Sequence, residues 1–286
     1  MGKSSKDKRD VYYRLAKEEG WRARSAYKLL QIDEEFDLFQ DVHKVVDLCA
    51  APGSWSQVLS AKLDINKNPQ NKIVAVDLQE MAPIDGVIQI QGDITKQSTV
   101  DLILSNFEGE KADMVIITGL HDLDEYIQAQ LLLAALHITT HVLKSGGTFL
   151  AKIFRGKDVR LLYTQVKIFF KTVHIVKPRS SRNSSIESFI LCQDYSPPAD
   201  YIPNMSNPLL NVPLGLDSSV ITGSNLWTIP FTACGDLSGF DSDMTYPLKL
   251  TSDTEYTYKE PAQSPISPPY KKALELKRAN FYNSVM

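Results

Sequence analysis

The chain has 286 residues, 43% of them hydrophobic and 23% charged, with a formal net charge of −3. That is ordinary globular composition, long enough for one substantial domain plus an appendage, and no apolar run reaches the length of a membrane span. Cys49, Cys192 and Cys234 are few, odd in number and widely spaced, which excludes a disulfide framework and points to a reducing, cytoplasmic setting.

The N-terminal stretch MGKSSKDKRD is polar and charged, unlike a secretory signal. Residues 1–28 hold nine Lys/Arg against four Asp/Glu, a basic block inside a mildly acidic protein. Leu29, Ile32, Phe36 and Phe39 then recur at helical spacing, so 23–39 reads as an amphipathic helix leading into the core. From there strands and helices alternate. KVVDLC (44–49) is a strand, followed by a small-residue turn at Ala51-Pro52-Gly53 and a helix through SWSQVLSAKL. KIVAVDL (72–78) and VIQIQGD (87–93) are strands, with a helix over about 97–107. MVII is a fourth strand before a long helix over 122–143, GTFLAKIF (147–154) a fifth, and VRLLYTQVKIFF a further helix. VHIVK (173–177) and SIESFILCQ (185–193) are joined by a loop short enough for an antiparallel hairpin. The expected fold is therefore α/β: a doubly wound, mostly parallel sheet with an antiparallel last strand.

Residues 152–182 form a second basic block, with nine Lys/Arg and only Asp158. A charge run alone is as readily a solvated face as a binding surface, but two such blocks suggest a polyanion footprint. Beyond residue 195 the texture changes: eleven of the fifteen prolines fall in 197–269, and the helical period disappears. The expected division is a 1–195 domain and an irregular, Pro-rich 196–286 extension.

VVDLCAAPGSWSQ is the most informative stretch. A strand ends in an acid, a turn of small residues follows, and Gly53 opens a helix whose free N–H groups can meet a ligand. Asp77 ends the second strand, where a carboxylate can accept from both ribose hydroxyls, and Asp93 ends the third, within reach of an adenine amine. There is neither G-x-G-x-x-G nor a P-loop lysine motif, so a phosphate-free adenosine ligand such as S-adenosylmethionine fits better than a dinucleotide or ATP. No metal site is visible; His137 and His141 lie four apart in a leucine-rich helix and read as packed or surface residues.

RSAYKLL, DLCAAPGSWSQ, AVDLQEMAP, QGDIT, AKIFRG and KPRSSRNSSIESF together resemble the FtsJ family of RNA ribose 2′-O-methyltransferases. The likeness is closest to the eukaryotic cytosolic branch acting on riboses of the tRNA anticodon loop. The resemblance implies S-adenosylmethionine as cofactor, held by Gly53, Trp55, Asp77 and Asp93. It also implies a Lys-Asp-Lys-Glu catalytic set, with Lys28 as the first lysine, Lys152 as the second and general base, and Glu187 as the glutamate. A lysine in a leading helix is ordinarily solvated, whereas Lys152 inside an apolar strand is costly without a role or a partner. Arg22, Arg24, Arg155 and Lys157 are expected to flank the crevice and bind RNA phosphates. Accessory protein subunits that direct site choice are implied as well, contacting the C-terminal extension, with no membrane partner.

One family element is missing. In the family the fourth strand ends in an aspartate followed by a short turn containing Ala-Pro, and that aspartate is the second member of the catalytic set. Here ADMVI runs directly into ITGLHDLDEY. Asp113 precedes the strand, about 13 Å from the required end, and Asp122 and Asp124 read as helix-start residues. The expectation is an intact fold with an activity severely reduced or absent. The alternatives are an inactive RNA- or partner-binding subunit, or a 2′-O-methyltransferase acting on ribosomal RNA or the mRNA cap.

Overall fold

The computed structural model describes residues 11–65, 67–118, 125–155, 166–182 and 185–205. All of them lie in the first of two compact units of the chain, residues 1–232. Helix α1 (Val11–Glu18) leads to α2 (Ala26–Phe36), β1 (Lys44–Leu48), α3 (Ser54–Lys62), β2 (Lys72–Asp77), β3 (Val87–Gln91) and α4 (Gln97–Asn106). Then follow β4 (Ala112–Ile117), α5 (Glu125–Val142), β5 (Leu143–Phe154), β6 (Phe170–Val176) and β7 (Glu187–Tyr195).

The seven strands form one sheet in the order β3-β2-β1-β4-β5-β7-β6. β3, β2, β1, β4 and β5 pair in parallel, and β7 inserts antiparallel between β5 and β6. The expected fold class is thus the observed one. Central strands such as β1 and β4 are near-continuous apolar runs because helices cover both of their faces. On one face Ala26, Leu29 and Trp55 from α2 and α3 pack on Ile73, Met114 and Phe189. On the other, Val100 and Ile103 of α4 and Leu136 of α5 pack on Val74, Val115 and Phe149.

Several boundaries differ from the expectation. α1 lies in the N-terminal basic block, which figures in the expectation only for its charge, although Val11, Tyr12, Leu15 and Ala16 recur at helical spacing. The leading helix runs only from Ala26 to Phe36, stopped by Asp37 in the left-handed conformation (φ 49°) with its N–H on the Asp33 carbonyl at 2.8 Å. β5 begins four residues before Gly147, since Leu143 already pairs with Ala112 across an irregularity in the register. β6 starts at Phe170, where a helix was expected to continue; most of that helix lies outside the described residues. After β7 the chain stays on the domain: Tyr201 meets the Phe169 ring edge-on at 4.8 Å and its hydroxyl lies 3.4 Å from the Thr140 hydroxyl. Among the described residues no helix is long and apolar enough to cross a membrane.

Candidate active site

Parallel pairing brings the carboxyl ends of β1, β2 and β3 to one edge of the sheet, and three acids with them. Asp47 is fully buried; its Oδ2 accepts the Ser56 hydroxyl at 2.5 Å, and Oδ1 has no hydrogen-bond partner among the described residues. Burial pushes its carboxyl up to about 7, with the Ser56 bond opposing and Asp77 adding to the rise. Asp77 accepts Ala51 N–H through Oδ2 and Gln79 N–H through Oδ1, both at 2.8 Å, so it braces the turn after β1. Asp93 Oδ1 accepts from the Thr95 N–H (2.9 Å) and hydroxyl (2.7 Å). Cys49 sits among all three: burial pushes its thiol up to about 12, and Asp77, Asp47 and Asp93 add to the rise.

Gly53 opens α3 with φ +98°, and a Cβ there would stand 2.7 Å from Ile84 Cδ1 and 2.8 Å from Arg22 Nη1. The positive φ strains any side chain there, and one would have to displace the ends of Ile84 and Arg22. Trp55 packs inward. Its ring is 1% exposed, stacks on Phe189 with centroids 5.6 Å apart, and donates Nε1–H to the Ser25 carbonyl at 2.8 Å. The indole is thus a packing element between α3 and β7.

The two lysines and the glutamate meet. Lys28 faces inward from α2 at 4% exposure, Lys152 is 2% exposed on β5, and Glu187 opens β7 at 5%. Lys28 Nζ lies 2.5 Å from Glu187 Oε1, and Lys152 Nζ 3.6 Å from Oε2. Register explains the second contact. Lys152 pairs with Phe189 and Phe154 with Glu187, so Lys152 and Glu187 are diagonal neighbours on one face. Aromatic rings carry both cations: Lys28 Nζ is 5.9 Å from the Phe189 centroid and Lys152 Nζ 5.1 Å from that of Phe154. Burial holds Lys28 below the usual lysine range, only partly offset by Glu187. Burial pushes Glu187 up, but Lys28, the Ser181 hydroxyl and Lys152 outweigh it and leave the carboxyl below its ordinary value.

The end of β4 carries no carboxylate. Ile117 pairs with Leu48 and with Ala151, so the next residue, Thr118, stands level with Lys152; its hydroxyl donates to the Cys49 carbonyl at 2.9 Å. Asp113 is at the far end of the strand, where Oδ2 accepts the N–H groups of His43 and Lys44 at 2.7 Å and Oδ1 pairs with Lys144. Asp122 and Asp124 lie outside the described residues.

A family model described as FtsJ-like methyltransferase matches residues 21–195. The chain belongs to the FtsJ-like methyltransferase family. This FtsJ-like methyltransferase is 61% identical to the mouse (Mus musculus) tRNA (cytidine(32)/guanosine(34)-2′-O)-methyltransferase, over 97% of its own length and 87% of the relative's. It is 54% identical to the enzyme of the same name from Schizosaccharomyces pombe, over 98% and 99%. That match runs over 292 aligned positions, more than the 286 residues present here, so the yeast relative holds residues this chain lacks. Among solved structures, a putative ribosomal RNA methyltransferase from Plasmodium falciparum is similar at 29% identity and TM-score 0.52, covering 61% of this chain and 98% of that one. The cofactor of this FtsJ-like methyltransferase is S-adenosylmethionine.

Two residues read as phosphate contacts have other work. Arg22 donates Nη1–H to the Pro52 carbonyl at 3.0 Å and Nη2–H to the Pro83 carbonyl at 2.7 Å. Arg24 donates Nη2–H to the Ser180 carbonyl. Arg155 is exposed beside the edge, its N–H on the Ile186 carbonyl at 2.9 Å, and Lys157 lies outside the described residues. His137 Nδ1–H points to the Asn204 carbonyl at 3.3 Å, and among the described residues no group of three His, Cys, Asp or Glu is placed to hold a metal.

Proposed function

We propose that this chain methylates the 2′-OH of a ribose in the tRNA anticodon loop, with Lys152 as general base and Lys28 and Glu187 orienting the nucleoside. The observation that carries the reading is the buried Lys28–Glu187–Lys152 cluster on the sheet edge that also bears Gly53, Asp77 and Asp93. When bound, S-adenosylmethionine supplies an electrophilic sulfonium methyl. The protein's task is then alignment and removal of one proton. A lysine accepts that proton only in its neutral form. Gly53 admits the cofactor to the turn backbone, and Asp77 and Asp93 offer acceptors to its ribose and adenine. Recognition of the 2′-OH selects RNA over DNA. The choice of tRNA over ribosomal RNA follows the relatives: 61% identity to a tRNA enzyme against 39% to ribosomal RNA ones. The protein works in the cytoplasm, and accessory subunits contacting the 196–286 extension direct which nucleotide is modified.

Thr118 in place of a carboxylate favours a second reading, in which the chain binds cofactor and tRNA with little or no turnover. Calorimetry with S-adenosylhomocysteine and nucleoside mass spectrometry of treated tRNA transcript test both. Cofactor binding with 2′-O-methylated nucleoside that disappears in Lys152→Ala supports the first reading. Binding without methylation supports the second, and failure to bind the cofactor refutes both.

A further inference from the structure

Glu187 receives a second hydrogen bond that the catalytic reading does not use. Ser181, 3% exposed in the loop between β6 and β7, donates its hydroxyl to Glu187 Oε1 at 2.8 Å. This is the same oxygen that Lys28 Nζ approaches to 2.5 Å, while Oε2 faces Lys152. The loop itself is tied to the elements that present Lys28. Arg24, just before α2, donates to the Ser180 carbonyl, and Gln31, one turn after Lys28 on α2, accepts the Ser180 N–H at 2.9 Å. On the other side of the loop Lys177 Nζ donates to the Ser185 carbonyl at 2.5 Å, and the Ser185 hydroxyl accepts the Glu187 N–H at 3.1 Å. A carboxylate between two flexible ammonium groups can turn about its last bond. A neutral donor held by backbone contacts on both flanks fixes one oxygen and thereby aims the other.

We propose that Ser181 is a positioning residue, which holds Oε1 of Glu187 on the Lys28 side so that Oε2 remains directed at Lys152. The inference deepens the catalytic reading above and rests on it for its kinetic consequence, but not for its electrostatic one. A hydroxyl bonded to the ionised carboxylate stabilises that form, so its loss raises the Glu187 titration midpoint.

The test compares Ser181→Thr, which keeps the hydroxyl, with Ser181→Val, which matches threonine in shape and lacks it. Carboxyl carbon-13 NMR of the glutamate-labelled full chain follows the titration, with the Glu187 resonance assigned by its loss in Glu187→Gln. The valine variant is expected to titrate at higher pH than the parent, and the threonine variant to return to the parent midpoint. In parallel methyl-transfer assays the valine variant loses about tenfold or more in kcat, with KM for tRNA and for the methyl donor within about twofold, and the threonine variant recovers. Identical midpoints in the valine and threonine variants overturn the proposal. A shifted midpoint in a chain that transfers no methyl group upholds the Ser181 contact and counts against catalysis by this chain alone.

Discussion

Lys28 shows how a side chain's neighbours decide its chemistry. Its position one residue off the Leu29 stripe allows either solvent or interior, and only the antiparallel return of β7 supplies the glutamate that makes the interior tolerable. Lys152 is easier to read, because an apolar strand tolerates a lysine only where a partner or a chemical role offsets its burial. Asp47 is visible in the sequence only as one of three strand-end acids; its complete burial follows from α3 closing over it with Ser56. A carboxyl raised to about 7 in the folded chain, against an ordinary value near 4, keeps its proton where the unfolded chain has released it. Its cost to stability is therefore absent below about pH 4, accumulates as pH rises toward 7, and is constant above that. Asp47→Asn should gain on the parent by up to about 4 kcal/mol between pH 4 and pH 8. Denaturant unfolding at both pH values measures the difference; a gap independent of pH means the carboxyl is not the buried, proton-holding group described.

At the level of elements, what composition cannot show is which loop lies on which turn. Arg22 reads as a phosphate ligand because it sits in a basic block, yet its guanidinium spans two proline carbonyls, one in the turn after β1 and one in the loop after β2. Its N–H also binds Gln57 Oε1 at 2.8 Å, on α3. Arg22 thus staples three segments around Gly53, a long-range arrangement that no local pattern encodes. Arg22→Ala should weaken S-adenosylhomocysteine binding about fivefold, the equivalent of roughly 1 kcal/mol for solvent-exposed hydrogen bonds. It should leave the salt dependence of tRNA binding unchanged, because no phosphate contact is removed. Calorimetry and a salt titration check the two halves; a shallower salt slope would return Arg22 to the RNA surface. Trp55 makes the same point in the other direction. It lies in the cofactor stretch of the sequence, but its place in the first turn of α3 faces the ring toward Phe189.

For the whole molecule, the alternation of apolar runs is sufficient for the doubly wound sheet, since each parallel strand must be covered on both faces. Periodicity does not indicate that β7 enters between β5 and β6, the step that joins Glu187 to Lys152. The shortened connection after β4 leaves the sheet in register: Ile117 still pairs with Leu48 and Ala151. The difference is chemical: Thr118, its hydroxyl on the Cys49 carbonyl, stands where the family resemblance implies an aspartate. The most direct test is the rate of methyl transfer from labelled S-adenosylmethionine to tRNA transcript, measured for this chain and for the chain with the aspartate-containing turn restored after β4. The account predicts transfer by the restored chain and a rate at least about 10²-fold lower for the chain as it stands. Equal rates in the two would contradict it.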